Sequence, residues 1–211
     1  MIHSPHRMEI FRTRDEIHGF FQRLGIRYLS RTRVAWKPLL SMDLSASTYY
    51  RENRGLFDDL CRDYGKMIDS GHLAPLYIRK INEAIGYGVF AAAPIREAEF
   101  IGEYAGVVQP ESAATGAEEG DGSYESDYSW YYLDPVPSGP TLEINGRWEG
   151  NELRFVNHGP APNVAVEHTL HEGQWVLFFR AACDIAPDEQ LLIDYGDGYW
   201  EDGYRDERAI G

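Results

Sequence analysis

The apolar positions near the start of the chain recur at helical intervals. In IFRTRDEIHGFFQRLGI, Ile10, Ile17, Phe20, Phe21 and Leu24 fall near one face, and Thr13 is placed to cap the helix that carries them. A second helix is predicted over Ser47 to Ser70, where Tyr50, Leu56, Phe57, Leu60 and Tyr64 recur at the same spacing and Gly71 supplies a stop. Between them, residues Arg27 to Met42 read as a loop or as short strands ending at Pro38. Residues 1–74 are therefore expected to form a helical extension that packs as a cap on the domain behind it. From Leu76 the texture changes to short runs such as LYIRKI, GVFAAA, EFIGEYAGVV, SWYYLD, LRFVN, QWVLFFRAA and QLLIDYG, separated by Gly, Pro and Asp turns. That texture predicts a mostly β domain over residues 75–200, with 201–211 as a tail.

Composition changes this picture little, and charge changes it more. The chain has 211 residues with 43% hydrophobic positions, enough for one domain with an extension and a real core. Residues 1–96 carry 15 Lys and Arg against 10 Asp and Glu, whereas residues 97–211 carry 5 against 24; the balances of +5 and −19 make the net −14. The acidic part should repel nucleic-acid phosphates and attract cationic partners such as basic protein tails. Gln109 to Asp127 holds six acids and no Lys or Arg, and reads as an acidic insert. No apolar run is long enough to span a bilayer, and no secretory leader is evident. Cys61 and Cys183 are too few and too far apart for a disulfide framework or a four-ligand zinc site. An intracellular protein is expected, cytoplasmic or nuclear, with no membrane partner and no metal.

Four stretches carry candidate chemistry. In GNELRFVNHGPAPN (Gly150 to Asn163), Leu153, Phe155 and Val156 are buriable, and Asn157 and His158 follow at once. Pro160 and Pro162 forbid a continuing helix or central strand. An Asn/His turn capped by prolines explains this segment by itself. Gly86-Tyr87-Gly88 superficially matches a dinucleotide fingerprint, but Val89, Phe90 and Pro94 give a strand and a stop where that motif needs a helix. Glu103-Tyr104-Ala105-Gly106 and Asp194-Tyr195-Gly196 each put a tyrosine at a strand end, ordinarily a half-buried structural position.

In their order and spacing, GYGV, EYAG, RFVNH with PN, and DYG resemble the SET domain, a protein lysine methyltransferase fold, over about residues 75 to 200. The resemblance implies small curved sheets and a C-terminal pseudoknot, in which the Asn157 bend threads against the DYG segment. It also implies S-adenosyl-L-methionine as cofactor, contacted by Ile85, Gly86, Tyr87, Tyr128, Asn157 and His158. Tyr195 matches the family's catalytic tyrosine, Tyr104 would line the channel that admits lysine, and Trp130 belongs to the substrate groove or the core. Ile193 stands where an aromatic commonly controls how many methyl groups fit. Relatives often close the cofactor site with a cysteine-rich zinc module; here Tyr199 and Trp200 are the residues available to cover adenine.

The implied activity is S-adenosylmethionine-dependent methylation of lysine on a basic protein, histone-like or ribosomal. A non-catalytic module that binds a protein partner is the alternative, resting on the departures Val107, Gly159 and Ile193 and on the missing zinc tail. A cysteine hydrolase using Cys183 and His158 is a third class, but no third residue orients the pair, and Cys183 sits in an apolar run that predicts an inert buried thiol.

Overall fold

The computed structural model describes residues 9–111, 128–133 and 139–196. The acidic insert beyond Glu111, Tyr199, Trp200 and the tail lie outside the described residues.

Both expected helices form where their caps place them. Helix α1 (Arg14–Arg23) begins at Thr13, whose hydroxyl accepts from the Glu16 amide at 3.3 Å, while the Glu16 carboxylate accepts from the Thr13 amide at 2.9 Å. This reciprocal pair satisfies two amides that the first turn leaves open. Ile17, Phe20 and Phe21 are buried, as the periodicity predicts, and Phe20 and Phe21 meet the ring of Phe155 at centroid distances of 5.4 and 5.7 Å. Helix α2 (Thr48–Ser70) is capped by Ser47 and stops at Gly71, whose φ of 60° is left-handed. Phe57 faces the core and its carbonyl accepts from Thr169, but Leu56 is 57% exposed. Adjacent helix positions lie about 100° apart, so only one of Leu56 and Phe57 can face inward.

The stretch between the helices resolves into short strands. These are β2 (Arg27–Tyr28) and β3 (Arg33–Val34), followed by a 3-10 turn over Lys37–Ser41. With β1 (Ile10–Phe11), they stitch the extension into the β-rich part by main-chain hydrogen bonds. The helices are therefore joined to the domain by strands as well: β1 and β3 each extend the edge of a larger sheet, and β2 forms a two-stranded pair.

The β-rich part consists of small sheets. Strand β4 (Leu76–Asn82) lies between β1 and β5 (Gly86–Ala91), and β13 (Gln174–Ala181) lies between β12 (Val164–His171) and β6 (Phe100–Glu103). A four-stranded sheet runs in the order β3, β7 (Val107–Pro110), β9 (Leu142–Asn145), β8 (Ser129–Tyr131). Strand β10 (Glu149–Gly150) pairs with β2. Strand β11 (Asn157–His158) pairs in parallel with β14 (Leu192–Ile193), placing Asn157 opposite Leu192 and His158 opposite Ile193. Two segments more than thirty residues apart thus cross as the threaded topology requires.

Asn163 clasps that crossing. Its amide nitrogen donates to the Gln190 carbonyl at 2.9 Å and to the Glu189 carboxylate at 3.1 Å, and its side-chain oxygen accepts from the Leu192 amide at 2.9 Å. Gly159 packs closely against the crossing: a Cβ at this position would lie 2.7 Å from the tip of the Leu192 side chain, which would have to shift to admit a larger residue.

Candidate active site

One wall of the site grows from the end of β6. Glu103 closes that strand, and Tyr104 comes next with 3% of its surface exposed. Its hydroxyl donates to the Tyr128 carbonyl at 2.8 Å, and burial holds the phenol well above its ordinary pKa, so it remains protonated. A Cβ on Gly146 would stand 2.6 Å from that hydroxyl, so the glycine of EINGRW is the residue that admits the ring. Trp130, on edge strand β8, meets Tyr104 edge-on at 5.9 Å. The strand is fixed by Ser129, which donates to the buried Glu143 carboxylate; Glu143 also accepts from Gln109 and Asn145. Asn145 donates to Glu143 and accepts from the Arg147 amide, a dual role that an aspartate in its place could not perform when ionised.

The facing wall is the 3-10 turn Glu152–Phe155 with the bend after it. Asn151 anchors the turn, donating to the Glu103 carbonyl at 2.7 Å and accepting from the Leu153 amide. Arg154 is 8% exposed, and burial pulls its pKa down. It donates to the carbonyls of Gly146 at 2.8 Å and Arg147 at 3.2 Å, and its guanidinium lies 3.8 Å over the Tyr128 ring. Tyr195 comes in from the end of β14. Its amide donates to His158 Nδ1 at 3.2 Å and its hydroxyl to the Val156 carbonyl at 3.0 Å.

These walls enclose a cavity of about 120 Å³, in which the four expected channel residues, Tyr104, Trp130, Ile193 and Tyr195, all take part. Ser129, Tyr131, Leu153, Arg154, Val156 and Phe179 complete the lining. No carboxylate, imidazole or thiol is among these described lining residues. The cavity suits chemistry that needs orientation and dryness, because it offers no acid or base group of the usual hydrolytic kinds.

The expected cofactor residues divide into two kinds. Asn157 donates from its side chain to the Tyr87 carbonyl at 3.1 Å, joining the RFVNH bend to the GYG strand. Gly86 has φ of 78°, and no heavy atom lies within 4 Å of where its Cβ would be. A ligand can therefore approach the backbone closely there, next to half-buried Ile85, and a side chain would take that space. Such an open glycine edge leaves space for a flat ligand to lie against the main chain. The side chain of Tyr87 is engaged elsewhere: its ring packs on Phe20 at 4.5 Å and its hydroxyl donates to Glu9, leaving the main chain as its contribution at this edge. Tyr128 serves through its carbonyl and through the ring under Arg154.

Sequence reasoning missed Arg154 and Phe179. Arg154 sits inside RFVNH, where a charge in a buriable run is itself a signal, whereas Phe179 is hidden among the apolar residues of β13. Cys183, expected to be a buried thiol, is exposed, while His158 is buried with Nδ1 taken by the Tyr195 amide. The two do not form a nucleophile and base.

Comparison with known proteins agrees with this geometry. A family model described as the SET domain matches residues 86–196, more than half of the chain. The chain is 30% identical over 118 residues to the histone-lysine N-methyltransferase EZH2 of Chaetomium thermophilum, covering 56% of this chain and 8% of the relative. It is 27% identical over 154 residues to the H3 lysine-9 specific histone-lysine N-methyltransferase KMT1 of Fusarium mangiferae, covering 65% and 44%. The chain thus spans less than half the length of these curated relatives. Among solved structures, ATXR5 in complex with histone H3.1 mono-methylated on R26 aligns over 90% of this chain and 87% of its own, with a TM-score of 0.60 at 20% identity, a likeness of fold. The Chaetomium thermophilum polycomb repressive complex 2 aligns over 70% of this chain and 19% of its own, with a TM-score of 0.55 at 26% identity. In motif order, in the parallel β11–β14 crossing and in the family model that covers both, the chain belongs to the SET-domain family.

Proposed function

We propose that this protein transfers a methyl group from S-adenosyl-L-methionine to a lysine side chain of a basic protein, histone-like or ribosomal. The observation that carries the reading is that Tyr104, Trp130, Ile193 and Tyr195, drawn from three distant motifs, line one cavity, and that Asn157, next in the chain after the lining residue Val156, bonds to the Tyr87 carbonyl. The relatives' names support the reaction class. When bound, the cofactor supplies a methyl group already activated on a sulfonium. What remains for the protein is to present an unprotonated amine in line with it.

The residues suit that task. Both channel tyrosines donate their phenolic protons to main-chain carbonyls, Tyr104 to Tyr128 and Tyr195 to Val156, so their oxygens turn lone pairs toward an incoming N–H. Trp130, Phe179 and Ile193 supply an apolar lining that disfavours an ammonium, whose free pKa is about 10.4. Asn157, His158 and the edge from Ile85 to Tyr87 are the residues assigned to hold the cofactor, with Tyr128 beside them. Tyr199 and Trp200 are assigned to cover the adenine. The aliphatic Ile193 leaves the channel wider at that point than an aromatic would, which admits an amine that already carries a methyl group. The acidic balance of residues 97–211 draws a cationic substrate and gives no purchase to nucleic acid, consistent with a nuclear or cytoplasmic site of action. Among the described residues no helix is long and apolar enough to cross a membrane.

The test is a protein and peptide array incubated with labelled S-adenosyl-L-methionine, comparing wild type with Tyr195→Phe. Label on basic proteins that depends on Tyr195 supports the proposal. Absence of both label and cofactor binding by calorimetry refutes the proposal and points to the non-catalytic module that binds a protein partner.

A further inference from the structure

Away from the channel, the last turns of α2 meet the tip of the β12–β13 hairpin through one imidazole. Cys61, Gly65 and Asp69 recur every four residues, so they form a ledge along a single face of the helix. His171 lies on that ledge. A Cβ on Gly65 would stand 3.3 Å from its ring, so the glycine lets the imidazole rest against the helix. Its Nδ1 contacts Cys61 Sγ at 3.3 Å and its Nε2 contacts Asp69 Oδ1 at 2.7 Å, fixing the ring from both sides with 14% of the side chain exposed.

The adjacent residue makes the arrangement more than an ion pair. Glu172 also directs a carboxylate here, and its oxygen, Asp69 Oδ and a His171 ring nitrogen all lie within 4.8 Å of one another. Two carboxylates thus converge on one imidazole, and Asp69 lies against its Nε2. Glu172 has no hydrogen bond or ion pair among the described residues, and it holds a left-handed φ of 49° in the turn before Gly173. Glu103 adds a third acid near the same ring.

We infer that Asp69, His171 and Glu172 bind one divalent transition-metal ion of the zinc type, with water completing its coordination. Imidazole with two carboxylates is a donor set that zinc accepts at about 2.0–2.2 Å. Cys61 plays the outer part: its sulfur lies against Nδ1 and so orients the ring with Nε2 toward the carboxylates that would share the metal. On binding, the proton shared between Nε2 and Asp69 leaves to solvent. The ion would staple α2, in the N-terminal extension, to a hairpin whose second strand pairs with β6, the strand that leads into Tyr104.

The experiment uses the full chain in a background carrying His3→Gln and His6→Gln, because that pair offers imidazoles of its own. Zinc is titrated by competition against a chromophoric chelator, and cobalt binding is followed by its visible spectrum. One zinc per chain with micromolar affinity is expected, weakened at least tenfold by Glu172→Gln and abolished by His171→Gln. Glu172→Gln is the decisive variant, since its side chain is exposed and holds nothing else in place. Affinity unchanged in Glu172→Gln, no binding up to millimolar zinc, or a thiolate charge-transfer band with cobalt would each overturn the assignment.

Discussion

The two tyrosines that face each other across the channel are held by different kinds of structure. Tyr104 continues directly from β6, a strand paired along β13, and its phenol is sealed among rings and closed by a hydrogen bond to Tyr128. Tyr195 stands just beyond a two-residue strand, and side chains carry much of what positions it: His158 takes its amide, while Asn163 fastens the segment before it. One wall is built by sheet, the other by clasps. The difference predicts that damage to the first shifts geometry locally, whereas damage to the second loosens the crossing as a whole.

The sharpest test of the clasped wall is its own phenol. Tyr195→Phe removes the hydroxyl that donates to Val156 but keeps the ring, so the fold should survive. Methyl transfer should fall by roughly 100-fold or more, the scale of losing one positioned polar group at a reacting centre. A rate within a few fold of wild type, with folding intact by circular dichroism, would remove Tyr195 from the chemistry.

Asn163→Ala probes the clasp. It strips the partner from the part-buried Leu192 amide and from the Gln190 carbonyl, at a cost of about 1–2 kcal/mol in stability. Urea denaturation should show that loss, and cofactor affinity should fall with it, because Asn157 lies on the strand being released. Undiminished affinity in the variant would mean that the crossing does not need its side-chain fastening.

Gly146→Ala does the corresponding damage to the sheet-built wall. The added methyl would meet the Tyr104 hydroxyl at 2.6 Å and must displace either the ring or the loop. About a tenfold fall in kcat is expected, since displacements below 1 Å at a reacting centre are costly. Cofactor binding should fall less than it does in Asn163→Ala, and that separates the two variants.

The two walls were unequally legible in the sequence. The apolar runs announced β6 and β13, and helical periodicity with the cap Thr13 and the stop Gly71 announced both helices, because periodicity and caps act over a few residues. The clasps are polar and long-range. Asn157 and Asn163 read locally as turn residues beside prolines, and only their company with DYG gave them a role. The short strands β2 and β3 were left open for a related reason: two residues carry no period, and partners far along the chain supply their hydrogen bonds; β1 escaped altogether, because its Ile10 falls on the helical spacing although it lies in a strand before the cap. Arg154 escaped because a charge in a buriable run points to burial without naming what satisfies it.

The smallest effect lies behind the channel, where the turn Glu152–Phe155 joins both walls. Leu153 and Arg154 line the cavity, while Glu152 turns toward the extension and accepts from the Tyr28 hydroxyl at 2.9 Å. Glu152 is 4% exposed, and burial raises its carboxyl pKa above the ordinary value. A raised pKa means that the folded state holds the proton more tightly than the unfolded chain does. The linked stability is fully present below the unfolded glutamate value near about 4.3 and is lost as pH rises through the folded value. At pH 7 the charged carboxylate is therefore a liability. Glu152→Gln keeps an acceptor for Tyr28 and removes the charge, so it should raise Tm slightly at pH 7, by the equivalent of about 1 kcal/mol or less. The gap between variant and wild type should close as pH falls toward 5. Glu103 shifts in the same direction and is present in both proteins, so only the difference between their melting curves reports on Glu152. A gap that widens on acidification would mean that the Tyr28 contact stabilises the carboxylate more than burial penalises it.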